Sequence, residues 1–155
     1  MNLPHLPPIL INPRLSNPVD STLILEKAEV LAFLEDYQSA SLLLSELPLP
    51  EQRGVRAVAV RFNIWSGLQK WKLGQDLAAR VRPTDHITVR QAAGRFLMGR
   101  AQAYLDKGRH AAARETLQTI KTIWPEGQDV VVSSPLFRKV AEHFNFHGEA
   151  SMSAA

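Results

Sequence analysis

The sequence predicts an all-α chain of stacked helical hairpins, and three observations carry the prediction. Ring-bearing residues followed three positions later by a small one recur at Tyr37 with Ala40, Trp71 with Gly74, and His110 with Ala113, at separations of 34 and 39 residues. A recurring interval of this size is what helix-turn-helix arrays show. The flanks repeat as well. Nine residues before the marks stand Ala28, Phe62 and Ala101, six before stand Leu31, Trp65 and Tyr104, and thirteen before stand Ile24, Val58 and Leu97; seven after stand Leu44, Ala78 and Leu117, and ten after stand Leu47, Val81 and Ile120. All could be buried. Thirdly, apolar residues between the breakers keep helical spacing, as in Leu136, Phe137, Val140, Ala141 and Phe144, which share one face at 3.6 residues per turn.

Residues 1–20 hold Pro4, Pro7, Pro8, Pro13 and Pro18. Each removes a backbone donor and biases its predecessor away from helix, so this stretch is expected to form an extended proline-rich arm. Its apolar series, Leu3, Leu6, Ile9, Leu10, Ile11 and Leu15, is too hydrophobic for a solvated tail and should lie against helices of its own chain or of a neighbour. Asn17, Asp20 or Ser21 can cap the first helix, expected over 22–34 with Leu23, Lys27, Val30, Leu31 and Leu34 as its periodic residues. A bend at Asp36-Tyr37 precedes a partner helix over 39–46, and Pro48 and Pro50 close the hairpin. The second pair is expected over 52–68 and 72–81, stopped by Pro83, with Thr84 or Asp85 capping the next helix. That helix should run over 86–106, its Gly94 and Gly99 serving close approach by neighbouring helices, and Lys107-Gly108 should stop it. Residues 109–124 form its partner, ended by Trp124-Pro125. A polar loop with the run Val130-Val131-Val132 follows. Ser134-Pro135 then starts a last helix that should cover the open end of the stack. Residues 149–155 are expected to be disordered.

The spacing resembles the tetratricopeptide repeat, and the third copy is the nearest, with Leu97, Arg100, Ala101, Tyr104, Gly108, Ala113, Leu117 and Pro125 near the family's preferred places. The second copy departs from the pattern at Phe62, where a small residue is expected, and at Gly74, inside a helix; the first lacks the leading Trp. The resemblance implies a right-handed superhelix of about three antiparallel hairpins over 21–127, followed by a loop and capping helix over 128–148. It also implies a concave groove lined by the first helix of each pair. Phe33, Arg56, Asn63, Arg95, Met98 and Gln102 would then face a bound peptide, the arginines and amides toward its carboxylates and backbone, Phe33 and Met98 toward its apolar side chains. Ala32 falls on the same carried-over surface.

Composition narrows the function classes. Of 155 residues, 45% are hydrophobic and 21% charged, which fits one globular domain with a core. No apolar run approaches the ~18 residues of a spanning helix, and Met1 to Pro13 lacks a basic leader, so the expected residence is cytoplasmic with no membrane partner. Zero cysteines exclude disulfides, thiolate chemistry and sulfur-ligated zinc. His143 and His147 have the i, i+4 spacing of a metal pair, but no third ligand stands near, so neither metal nor cofactor is expected. No nucleophile constellation or phosphate loop occurs; residues 94–99, bracketed by two glycines, lack the Lys-Ser/Thr ending of the latter. Trp65 and Trp71 should pack in the core, while Trp124 could be exposed at the last loop.

The expected function is therefore that of a non-catalytic protein-interaction adaptor or chaperone-like protein. Its partner would be an acidic or amphipathic peptide segment, and the arm could occupy the groove or join two copies as a homodimer. The alternative is nucleic-acid binding. Residues 1–50 carry a net charge of −4, 51–124 of +9 and 125–155 of −2, and Arg90, Arg95, Arg100 and Arg109 could form part of a phosphate track in the basic segment 51–124.

Overall fold

Proline is tolerated at the first turn of a helix, where its missing N–H would have no partner. In the computed structural model, which describes residues 18–146, helix α1 accordingly begins at Pro18 and runs Pro18–Phe33. Residues 18–20 are thus helical rather than part of an extended arm. The rest of the expected arm, the tail over 149–155 and His147 lie outside the described residues. Every regular element among the described residues is helical, and no helix there is long and apolar enough to cross a membrane. The chain divides into two compact units, one ending at Ile64 and the other beginning at Trp65.

In the first unit α1 packs along α2, Tyr37–Leu44. Asp36 caps α2, its carboxylate accepting from the Ser39 N–H at 3.3 Å. The face of α1 that is buried is not the leucine series but the small-residue stripe Ser21, Ala28 and Ala32, because residues without bulk let two helix backbones approach. Pro48 caps a one-turn helix that sequence reading missed, α3, Leu49–Gln52. The Ser21 hydroxyl donates to the Glu51 carboxylate, and Gln52 Nε2 donates to the Leu47 carbonyl at 2.7 Å, so the loop is tied to the hairpin at two points. Helix α4, Val55–Gly67, starts three residues later than expected because Arg53-Gly54 separates it from α3. It buries Ala57, Val60, Phe62 and Ile64.

The second unit contains the end of α4, α5 (Trp71–Ala78), α6 (Ile87–Asp106) and α7 (His110–Ile123). A 3-10 turn at Pro125–Gly127, the short α8 (Gln128–Val132) and α9 (Pro135–Phe146) follow. The most extensive packing is between α6 and α7; α9 packs on both. Leu136, Val140 and Phe144 of α9 are buried, and the Ser134 hydroxyl accepts from the Phe137 N–H at 3.2 Å, as its N-cap role requires. Two expectations fail here. Residues 128–132 are helical despite their β-branched run, because burial of Val131 outweighs the modest helix propensity of valine. The cap of α6 is His86, whose Nδ1 accepts from the Thr88 N–H at 3.1 Å; Asp85 instead accepts from the Arg82 N–H at 2.7 Å.

The internal repeat is a backbone fact at its three turns. Glu35, Gln69 and Gly108 take φ of 64°, 56° and 72°. The next residues, Asp36, Lys70 and Arg109, have φ of −87°, −83° and −91° with ψ of 68°, 66° and 70°. Their N–H groups donate to the carbonyls of Leu31, Trp65 and Tyr104 at 2.8, 2.9 and 2.9 Å. A left-handed residue followed by a bond reaching back to the last helical turn is the Schellman closure of a helix. The ring-bearing marks, Tyr37, Trp71 and His110, start the next helix in each case. The small residues three positions on, Ala40, Gly74 and Ala113, are all buried.

Candidate peptide-binding surface

Two glycines of the second unit show why its helices approach so closely. A Cβ on Gly74 would lie 2.0 Å from Cζ of Phe96, and one on Gly94 would lie 2.5 Å from the Trp124 ring. Gly74 therefore stands where the other copies have alanine because the Phe96 ring of α6 lies against it; Trp71 meets that ring at 5.5 Å between centroids. Trp124 is buried, not exposed at the loop as expected: it is wedged between Gly94 and Gly127, where a Cβ would come within 2.3 Å of the indole. Trp65 and Trp71 are half-buried.

These elements place the expected groove residues as follows. In the first unit Phe33, the last residue of α1, is 83% exposed. Asn63 is exposed on α4. Arg56 is exposed but engaged: its Nε and Nη2 donate to the two oxygens of Glu29 at 2.6 and 2.7 Å, a bidentate arrangement whose hydrogen bonding raises the guanidinium pKa. Ala32 is buried and so leaves the carried-over surface. In the second unit Arg95 is exposed, its guanidinium 5.8 Å from the Trp124 ring centroid. Met98 is half-buried, and Gln102 donates to Asp106 at 2.8 Å. The site residues thus fall three in each unit.

The arginines of the suggested phosphate track have protein partners. Arg90 donates to Glu126 at 2.6 Å and to the Asp85 carbonyl at 2.8 Å, and this pairing holds the Glu126 carboxyl below its ordinary pKa. Arg100 lies 3.9 Å from the Tyr104 ring centroid and donates to Gln75 Oε1 at 3.2 Å; Arg109 lies 5.0 Å from the same ring. Cation–π contact with the ring quadrupole favours both. Gln75 Nε2 donates to the Tyr104 hydroxyl at 3.3 Å, and that hydrogen bond, reinforced by Arg100, holds the phenol below its ordinary pKa.

Sequence reading missed this cluster, although Arg100 and Tyr104 sit at i, i+4 on one helix, a spacing that brings side chains together. The contact of Arg114 with the Phe144 ring, 4.0 Å to its centroid, had no such local signal. His143 stacks on His110 of α7 at 3.7 Å between centroids and 8° between planes and meets the Phe144 ring edge-on at 5.1 Å, while its i+4 partner in the sequence, His147, lies outside the described residues. Among the described residues no group of three His, Asp or Glu could hold a metal ion. Turning to known proteins, no family model matches the chain, and neither a curated protein nor a solved structure matches it.

Proposed function

We propose that this chain is a non-catalytic interaction module of the tetratricopeptide-like kind, three hairpins in a right-handed superhelix with α9 as its cap, acting as an adaptor or chaperone-like protein. The observation that carries the reading is the threefold recurrence of one turn, with the same dihedral signature and the same closing hydrogen bond at the positions where the sequence repeats. An array of such units presents first-helix side chains in series, which suits an extended or helical peptide. Exposed Phe33, Asn63 and Arg95 supply apolar, amide and cationic contacts, so the favoured partner is an acidic or amphipathic segment. Arg56 takes part by exchanging Glu29 for a peptide carboxylate, an exchange of comparable ion pairs at an exposed position where such a pair is worth about 0–1 kcal/mol. Residence in the cytoplasm belongs to the same reading.

The test is capture from source-cell lysate with the wild type and with the Arg56→Glu/Arg95→Glu variant, with and without nuclease, after circular dichroism has established that the variant is folded. The reading expects a defined protein recovered by the wild type, reduced about tenfold or more in the variant and unaffected by nuclease, a loss of about 1.4 kcal/mol of binding. Equal recovery by both proteins removes the groove. Recovery of mainly nucleic acid, abolished by nuclease, replaces the adaptor with the basic segment as the functional feature.

A further inference from the structure

The first hairpin leaves its leucine stripe in solvent. Leu23 is 45% exposed, Val30 55% and Leu34 65%. With Lys27 they recur at four and three residues along one side of α1, as a helix of 3.6 residues per turn requires. Beside them a groove of about 430 Å³ is lined by Leu23, Glu26, Lys27, Val30, Leu31 and Leu43. Contiguous apolar surface of this kind on a small unit implies an occupant.

We propose that the occupant is the same chain's residues 3–15, docked in cis along α1. Three observations on the sequence fit them to the groove. Positions 3, 6, 9 and 15 are Leu, Leu, Ile and Leu, with Asn12 between them; a polyproline II chain has three residues per turn, so this series lines one edge of it, and four prolines in the stretch favour that conformation. Reach is sufficient. Residue 17 adjoins the start of α1, Val30 lies about 18 Å along the helix from Pro18 at 1.5 Å per residue, and about six residues of polyproline II span that distance at ~3.1 Å each. Allowing two or three residues for the reversal brings Ile9, on the apolar edge, opposite Val30. Charge is complementary: residues 1–17 carry His5 and Arg14 and no carboxylate, whereas residues 18–50 carry Lys27 against six carboxylates. The inference does not rest on the groove reading above, since it concerns the leucine stripe of α1.

The chain has no cysteine, so a disulfide trap tests the docking on the full-length protein. The Ile9→Cys/Val30→Cys variant is oxidised at micromolar concentration beside Ile9→Cys/Leu42→Cys, where Leu42 of the same hairpin is 70% exposed and outside the groove lining, and products are read on non-reducing gels with peptide mapping. Docking in cis predicts an intramolecular disulfide forming at least tenfold faster in the first variant. Equal rates overturn it, and so does a disulfide that joins two chains, which would assign the groove to a second copy. In parallel, Leu6→Ser/Ile9→Ser should raise binding of a hydrophobic dye severalfold over the wild type by uncovering the stripe. Unchanged dye binding, in the dye's linear range, also overturns the proposal.

Discussion

The first and third hairpins share one turn and one spacing yet finish their surfaces differently. In the third, α9 lays Leu136, Val140 and Phe144 into the core, and arginines are stacked on Tyr104 and Phe144. In the first, α1 buries its alanines and leaves Leu23, Val30, Phe33 and Leu34 in solvent. The lesson is that a repeat's framework and its apolar surface are separable: small residues make the hairpin, and the large ones are left free for another segment. The turns differ in the same instructive way, since the third spends a glycine on its left-handed position where the first and second use Glu35 and Gln69.

The comparison can be broken most decisively at two phenylalanines. Phe96→Ala, removing a buried ring, should cost about 3–5 kcal/mol, whereas Phe33→Ser at the exposed end of α1 should change stability by no more than about 0.5 kcal/mol; urea unfolding followed by circular dichroism compares them, and similar losses would abolish the distinction. Next in size, Gly74→Ala drives a methyl into the Phe96 ring and should cost about 1–3 kcal/mol, and less when measured against Phe96→Leu alone in that shortened background. An equal cost of Gly74→Ala in both backgrounds would show that the ring is not the obstacle.

The turns sharpen the contrast at smaller scale. Gly108→Ala should destabilise by about 1 kcal/mol, and Glu35→Gly or Gln69→Gly should stabilise by about 0.5 kcal/mol, because a side chain in the left-handed region crowds its own backbone. Thermal midpoints moving oppositely at 108 and at 35 or 69 are the expected reading. Smallest is an electrostatic effect. With the Tyr104 phenol held low by the hydrogen bond from Gln75 and then by Arg100, the folded state gains stability only as pH rises toward the ordinary tyrosine value and beyond. Gln75→Leu should therefore shift one of the two tyrosine transitions upward in an ultraviolet titration and leave stability at neutral pH unmoved by this term.

Local chemistry explains which parts of the fold were legible. Ser134-Pro135 and Lys107-Gly108 are decided within four residues, and both stand where the sequence places them; at Asp36 the sequence placed only a bend before a helix from 39, whereas its carboxylate caps a helix that begins two residues earlier, at Tyr37. The short α3 and α8 were not legible, since Pro48 reads equally as a stop and as a cap, and a valine run argues against helix until Val131 is given a core to enter. Of the candidate surface, Phe33 and Asn63, named through the repeat resemblance, are exposed, but the Arg56 ion pair with Glu29 joins residues 27 positions apart and has no local signature.

By itself, the sequence determined the helical class, the repeat interval and the positions of the hairpin turns, because these depend on propensity, capping and spacing along the chain. Tertiary structure alone decided which face of each helix is buried. Alanine and leucine stripes on α1 are equally apolar in composition, and the alanines are inside because contact energy grows with how closely two backbones can approach. It also decided that Trp124 is a core residue, since only the absence of side chains at Gly94 and Gly127, 33 residues apart, opens a slot of indole width.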